Sequence, residues 1–499
     1  MANQPKLRWG VFLVVALAAL MLRLPELGAR PMHTDESVNA YIVGQMLAGA
    51  AFHYDPVDRH GPALAALALP LVRLEGAKDF PSLTESGLRL TSVIMGSATV
   101  LFFAAAVEPF GFLPCLVAAL LFAFAPLSVY YSRDFIHETI FVAATLGLFC
   151  AGWRAVRRAS MPAAIAAGAC AALMLATKET AALHFAAIAM AAIVAWFVSR
   201  KPSAALSRLP FRVFAATLVS FLLVALLLFT WFGQNWKVFS DLVQAAPDAM
   251  ARAGGQGHEK PFWYYFQLFA GEMSAKWFAK SSGNWSGAVL TVLALAGFVV
   301  AFLDKTRRTN RWLALYFLLI TVIYCAIPYK TPWLALNLFL PAALLIGLVI
   351  GRLWQASARP AFRTLLLVFC AVLGILIAHD TRQRVFINPT DETNSYAYVQ
   401  TSEDLLGLPD RLNELVQQRH LVNPRIAVIA ADPWPLPWYL RKYSQTGFWQ
   451  PGQQTGTTDF FITSTDAADQ YQEQLKDFRP EFFGLRPNVL IILWVRAEN

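Results

Sequence analysis

The chain has 499 residues, 57% of them hydrophobic and 15% charged, with a mean hydropathy of +0.48. Soluble chains carry about a quarter charged residues, so this composition excludes a soluble globular protein. The net charge of +9 does not imply a nucleic-acid partner, because the lysines and arginines collect in short connections between apolar runs.

Taken in chain order, apolar runs at 9–27, 87–107, 111–129, 138–152, 162–177, 181–198, 212–232, 285–303, 312–328, 332–350 and 362–379 read as about 11 transmembrane helices. A helix of roughly 20 residues crosses the ~30 Å of hydrocarbon in a bilayer. The first run follows Lys6 and Arg8, and no small-residue cleavage site follows it, so it reads as a retained helix. The five cysteines, at 115, 150, 170, 325 and 370, all lie inside apolar runs. They read as small buried hydrophobes rather than a disulfide framework or a metal site.

The connections alternate in character. One set is short and basic: Arg154, Arg157 and Arg158; Arg200, Lys201, Arg208 and Arg212; Lys305, Arg307, Arg308 and Arg311; Arg352, Arg359 and Arg363. The positive-inside rule makes these cytoplasmic, together with the N-terminus. The other set is extracytoplasmic: a first loop (28–86), the segment 130–138, Lys178-Glu179, a loop at 233–284, and Tyr329-Lys330. An odd number of spans places residues 380–499 outside as well. All eight histidines then fall on the outer side or at outer helix ends.

Residues 380–499 are hydrophilic and read as a separate extracytoplasmic α/β domain following a membrane domain over 1–379. Apolar runs at 425–431, 459–463 and 489–495 predict buried strands, and the patterns at 402–420 and 466–476 predict helices. No glycine-rich phosphate loop accompanies them. The absence of an internal repeat weighs against a transporter built from two similar halves.

Chemistry-bearing residues cluster on the outer side. His33-Thr34-Asp35-Glu36 follows the first span, and Asp35 there reads either as a functional acid or as the cap of an amphipathic helix beginning at Ser37. His60-Gly61-Pro62 lies further along the same loop, ahead of an apolar run (63–72) that reads as an interfacial helix. Arg133, Asp134, His137 and Glu138 stand where the chain re-enters the membrane, and helical spacing would pair Arg133 with His137 and Asp134 with Glu138. Lys178-Glu179 and Tyr329-Lys330 place lysines against the positive-inside trend, which either an anionic phosphate or snorkelling at the helix ends would compensate. Arg23 reads as snorkelling to the interface. Trp434, Trp438 and Tyr439 read as a sugar-stacking surface or as core.

His33–Glu36, His60–Pro62, Ser132–Glu138, Ala176–Thr180, Tyr329–Trp333 and Trp434–Tyr439 together make the chain resemble the GT-C-fold glycosyltransferases. That superfamily includes the protein O-mannosyltransferases (glycosyltransferase family 39), the lipid A aminoarabinose transferases and the oligosaccharyltransferase catalytic subunits. The sequence is most similar to a prokaryotic family described as flippase-activity-associated in protein glycosylation. The resemblance implies a mainly α polytopic membrane protein of the GT-C type with a small C-terminal α/β domain. It further implies an inverting transferase that moves a sugar from a polyprenyl-phosphate donor to a glycan, lipid or protein acceptor on the outer face of the plasma (inner) membrane. The catalytic roles fall to Asp35, Glu36 and Glu138, with Asp134 as the alternative acid in the second loop. Substrate binding falls to His33, His60, Arg133, Asp134, His137, Lys178, Glu179, Tyr329 and Lys330. A divalent metal (magnesium, manganese or zinc) would sit on Asp35, Glu36 and Glu138. A lipid-linked sugar flippase and a non-catalytic accessory subunit are the alternative functions.

Overall fold

The computed structural model describes residues 5–55, 59–198, 210–254, 257–270, 285–357 and 359–497. The expected basic connection at Arg200, Lys201 and Arg208 and the end of the 233–284 loop lie outside them. Helices run in chain order as α1 (Pro5–Arg23), α2 (Thr34–Leu47), α3 (Ala63–Leu74), α4 (Glu85–Phe110), α5 (Phe112–Phe124), α6 (Pro126–Tyr131), α7 (Glu138–Arg158) and α8 (Met161–Leu175). They continue as α9 (Ala181–Val198), α10 (Phe211–Phe229), α11 (Val238–Ala253), α12 (Tyr264–Ala270), α13 (Trp285–Leu303), α14 (Arg308–Ala326), α15 (Ala335–Ala356) and α16 (Pro360–Thr381).

The protein is a mainly α, multi-pass membrane protein. A helix stands at each of the eleven expected spans, but among the described residues eight are long and apolar enough to cross a membrane: α4, α7, α9, α10, α13, α14, α15 and α16. The 13 residues of α5 and the 15 of α8 reach only about 20–22 Å at 1.5 Å per residue. The run at 111–129 is two helices rather than one. Ala125 is extended at ψ 140° and Pro126 opens α6, as expected of a residue that precedes proline. In α1, Lys6, Arg8 and Arg23 interrupt the apolar pattern.

Contacts divide the chain into two compact units. The first comprises Met1–Pro25, Ala51–Ala68 and Arg89–Asn388. Within it α8 packs on α7 and α10, α15 on α5 and α13, and α9 on α14. The α15 helix is buried throughout Ala335–Leu340 and again from Ala343 to Gly351. Its approach to α5 is close: a Cβ on Gly347 would lie 2.1 Å from the Pro114 carbonyl oxygen. Small residues serve this purpose in membranes, where backbone contact and dispersion hold helices together.

The second unit comprises Glu26–Ala50, Leu69–Leu88 and Pro389–Asn499. Its later part contains α17 (Gly407–Gln418), β1 (Ile426–Ile429), α18 (Leu436–Tyr439), β2 (Thr446–Trp449), β3 (Phe460–Ser464), β4 (Phe478–Arg486) and β5 (Val489–Arg496). The sheet order is β2-β1-β3-β5-β4, with β1 parallel to β2 and β3, and β5 antiparallel to β3 and β4. The three expected strands are β1, β3 and β5, each largely buried. The two edge strands, β2 and β4, escape the apolar criterion because much of each faces solvent. The helix expected over 466–476 is instead three pieces of three or four residues.

Segments from the first loop are built into this second unit. Gln400 Nε2 donates to Pro31 O (3.1 Å), Thr401 Oγ1 to Met32 O (2.6 Å), and Met32 N to the Tyr439 hydroxyl (2.9 Å). Trp438 is fully buried, packs on Phe80, lies under the Arg441 guanidinium at 3.7 Å and donates to Glu85 Oε1. Trp438 and Tyr439 are therefore core rather than sugar platforms, and Trp434, partly exposed against Tyr41, is the aromatic still accessible.

Gly347→Val tests the packing of α15 on α5. It should lower thermal stability in detergent by about 1–3 kcal/mol or more, as overpacking does; an unchanged melting temperature would show that the contact is loose.

Candidate functional site

The geometry of the first unit begins at Arg23, which is fully buried. Its Nε donates to Ser132 Oγ (2.6 Å), Nη1 to Ala19 O and Ala123 O, and Nη2 to Phe122 O and Ser128 Oγ. The expected snorkelling is thus corrected: water is not reached, so all five N–H groups find protein acceptors. Two of these acceptors are carbonyls at the end of α5, where a helix leaves oxygens without intrahelical partners. Arg133 binds back from the other side, with Nη1 donating to Arg23 O and Pro25 O, each at 2.7 Å, and its guanidinium over the Phe386 ring at 4.8 Å.

This lacing holds residues 132–137 in a non-helical turn between α6 and α7. These residues therefore do not lie on the continuous helix that the i,i+4 spacing assumes. Glu138, which opens α7 and is 2% exposed, pairs with Lys178, 8% exposed, in the turn between α8 and α9. Burial makes each charge depend on the other, since an unpaired ion of either kind is costly away from water.

Beside this pair lies an imidazole–carboxylate cluster. His60 Nδ1 meets Glu179 Oε2 at 3.0 Å, and the Tyr54 hydroxyl donates to Glu179 Oε1 at 3.1 Å. The His137 ring stands edge-on to His60 at 5.0 Å. Burial, then the neighbouring His60 and Lys178, hold the His137 pKa well below the ordinary histidine range, so it is neutral at physiological pH. The loop that carries His60 approaches by way of Gly61, where a Cβ would lie 2.2 Å from Ala176 O, and Ala63 N donates to that same oxygen at 2.8 Å. Asp134 is buried in the turn.

Lys330 is also buried, and its ammonium donates to Lys260 O (3.1 Å) and Ile327 O (2.5 Å). Burial lowers its pKa. Tyr329 pairs with Glu259 in an isolated β-bridge, and its ring lies 4.9 Å from that of His258. These two residues belong to a loop brace built with residues 258–260.

In the second unit, the His33–Glu36 motif forms the start of α2. His33, rather than Asp35, is the cap. Its Nδ1 accepts from Asp35 N (3.1 Å), and Glu36 Oε2 accepts from His33 N (3.0 Å), which is a capping box. With Nδ1 accepting, the proton lies on Nε2, which donates to Tyr398 O at 3.0 Å. Glu36 is fully buried, whereas Asp35 is exposed and its carboxylate enters no ion pair among the described residues.

The expected metal does not fit this donor set. Among the described residues no three His, Cys, Asp or Glu side chains gather as a metal would require. Glu138 is committed to Lys178 and Glu36 to the helix cap.

Two features carried no signal in the sequence pattern. His184, in α9, is buried between the hydroxyls of Tyr316 (2.7 Å) and Tyr324 (2.9 Å). An apolar cavity of about 520 Å³ lies among α1, α5, α13, α15 and α16, its walls including Leu22, Leu121, Ile346 and Leu373, with Thr381 and the exposed Arg382 at its polar edge. Apolar walls contributed by five distant helices leave no local motif.

Comparison with known proteins bears on this arrangement. The family model for dolichyl-phosphate-mannose-protein mannosyltransferases matches residues 80–226. No curated protein matches the chain in sequence comparison. Among solved structures, the chain is similar to ArnT from Cupriavidus metallidurans bound to undecaprenyl phosphate, at 14% identity and a TM-score of 0.65 over 96% of this chain and 97% of that one. It is also similar to the archaeal oligosaccharyltransferase AglB from Archaeoglobus fulgidus in complex with an inhibitory peptide and a dolichol-phosphate, at 13% identity and a TM-score of 0.56 over 98% of this chain and 76% of that one. The arabinofuranosyltransferase AftD from Mycobacteria aligns at 14% identity and a TM-score of 0.51, over 98% of this chain and 40% of that one. The chain has the GT-C fold.

The buried Glu138–Lys178 pair can be tested by a double-mutant cycle on thermal stability. Glu138→Gln or Lys178→Gln alone should cost about 3–5 kcal/mol, the usual penalty for stranding a buried charge. The double variant should cost clearly less than the sum; strict additivity would mean that the two groups do not interact.

Proposed function

We propose that this chain is an inverting glycosyltransferase that moves a sugar from a polyprenyl-phosphate donor to an acceptor hydroxyl on the extracytoplasmic side of the membrane. The observation that carries this reading is the state of Asp35. Its two acid–base neighbours, His33 and Glu36, are consumed by the helix cap, which leaves Asp35 as the one member of the motif exposed and unpaired among the described residues. The cap also fixes the backbone that holds Asp35, so its carboxylate is positioned before any substrate arrives.

The GT-C fold supports the reading, as do the polyprenyl phosphates bound by the ArnT and AglB structures. The apolar cavity ending at Arg382 suits such a donor: isoprenoid units would lie along its aliphatic walls, with the phosphate against the guanidinium. In the reaction, the Asp35 carboxylate accepts the proton of the acceptor hydroxyl as that oxygen attacks the anomeric carbon. The bond from that carbon to the phosphate oxygen breaks, its electron pair stays on the oxygen, and polyprenyl phosphate leaves. The Glu138–Lys178 and His60–Glu179 pairs set the electrostatics of the membrane unit's outer end. The acceptor, be it lipid, glycan or protein, docks from the extracytoplasmic side.

Asp35→Asn is nearly isosteric and preserves the backbone donor used by the cap, so the fold should be retained. Transfer from radiolabelled polyprenyl-phosphate sugars should nevertheless fall about 10²–10⁴-fold. A rate within a few-fold of the parent would reject Asp35 as the base, and donor binding without transfer by the parent protein would favour a flippase or accessory role. Arg382→Gln should weaken donor binding by about 1.5–3 kcal/mol, the range for hydrogen bonds to charged groups. Competition with undecaprenyl phosphate measures this, and an unchanged affinity would remove Arg382 from the donor site.

A further inference from the structure

A second cavity, of about 560 Å³, lies at the opposite chemical extreme from the apolar one. Its walls include Arg8 of α1, Glu108 of α4, Phe112 of α5, Arg154 and Arg158 of α7, and Arg307 just before α14. It shares no residue with the cavity that ends at Arg382. All four arginines belong to the N-terminal segment and the basic connections that the charge pattern assigns to the cytoplasmic side.

The charges in this cavity do not balance. Glu108 is the single carboxylate, and it is already shared: Oε2 accepts from Arg154 Nε at 3.1 Å, and Oε1 pairs with Arg158. Arg8 and Arg307 enter no ion pair among the described residues. The buried Arg8 Nε has no hydrogen-bond acceptor among them either, a condition that costs free energy unless something supplies one. The neighbouring basic residues behave differently, since Arg352 pairs with Asp304 and Arg311 donates to the Asp304 carbonyl.

Backbone electrostatics sharpen the imbalance. Gly111 caps α5 with no side-chain hydrogen bond, so the first N–H groups of that helix receive none from their cap residue's side chain. A helix N-terminus carries positive potential. Arg307 Nη1 nevertheless lies only 3.7 Å from where a Gly111 Cβ would stand. Four guanidiniums and a helix N-terminus around one shared carboxylate leave room and charge for a further anion.

We propose that this cavity binds the phosphodiester headgroup of an anionic phospholipid from the facing leaflet. A lipid is favoured over free phosphate by the apolar span helices α4 and α7 among the walls, and by the exposed Leu7 and Trp9 on α1 beside Arg8. Those side chains give acyl chains an apolar path and an interfacial anchor. Basic pockets between transmembrane helices on the cytoplasmic side bind such headgroups in general. The arginines thereby serve both topology and lipid binding.

The test uses full-length protein in neutral detergent and follows thermal stabilisation as phosphatidylglycerol, phosphatidylcholine or inorganic phosphate is titrated. Phosphatidylglycerol should stabilise the parent and phosphatidylcholine should not. The half-maximal phosphatidylglycerol concentration should rise about fivefold for each of Arg8→Gln and Arg307→Gln. Arg307 is exposed, so its single replacement spares the fold. Glu108→Gln should move the midpoint the other way, because it removes the competing carboxylate. An equal midpoint in parent and Arg307→Gln would overturn the site. Stabilisation by inorganic phosphate equal to that by phosphatidylglycerol would overturn the lipid assignment.

Discussion

A guanidinium shut away from water must find an acceptor for each of its five N–H groups, and Arg23 meets that demand from its own helix and from residues 122–132. Its acceptors are the last carbonyls of α5, two serine hydroxyls and its own helix. Satisfying them joins the end of α1 to the end of α5 and to α6 and the turn after it. Arg133 closes the join from the other direction. Glu138 opens α7 on the far side of this turn.

The acids of the chain then divide by environment. Glu138 and Glu179 are held by a lysine, a histidine and a tyrosine inside the membrane unit. Glu36 is buried in a helix cap. Only Asp35 in the first-loop motif retains an exposed carboxylate, and adjacent residues on a helix point about 100° apart, so one neighbour is buried while the other is not. Two chemically similar side chains thus acquire different roles from one turn of backbone geometry.

The first loop shows how connection and packing diverge. Although the loop connects α1 to α4, Glu26–Ala50 and Leu69–Leu88 belong by contact to the unit formed by the C-terminal sheet. The carbonyls of Pro31 and Met32 accept side-chain donors from residues 400 and 401, and Trp438 reaches Glu85. The acid motif is therefore anchored by residues more than 350 positions away in sequence. The tail forms one compact unit with the segments that carry that motif.

The sequence by itself determined the membrane character, the positions of the helices, and three of the five strands. These rest on hydrophobicity, which acts locally and leaves a period or a run in the chain. It also singled out His33–Glu36, Glu138, Lys178 and Lys330, because charge beside an apolar run is conspicuous. Tertiary structure decided what those charges meet. Lys178 pairs with Glu138, forty residues earlier, and Lys330 donates to carbonyls of its own and a neighbouring loop. It also decided the helix ends, the break at Pro126, the edge strands and the apolar cavity. Each of these depends on pairing between distant segments, and the free energy of such a pairing is written in neither segment alone.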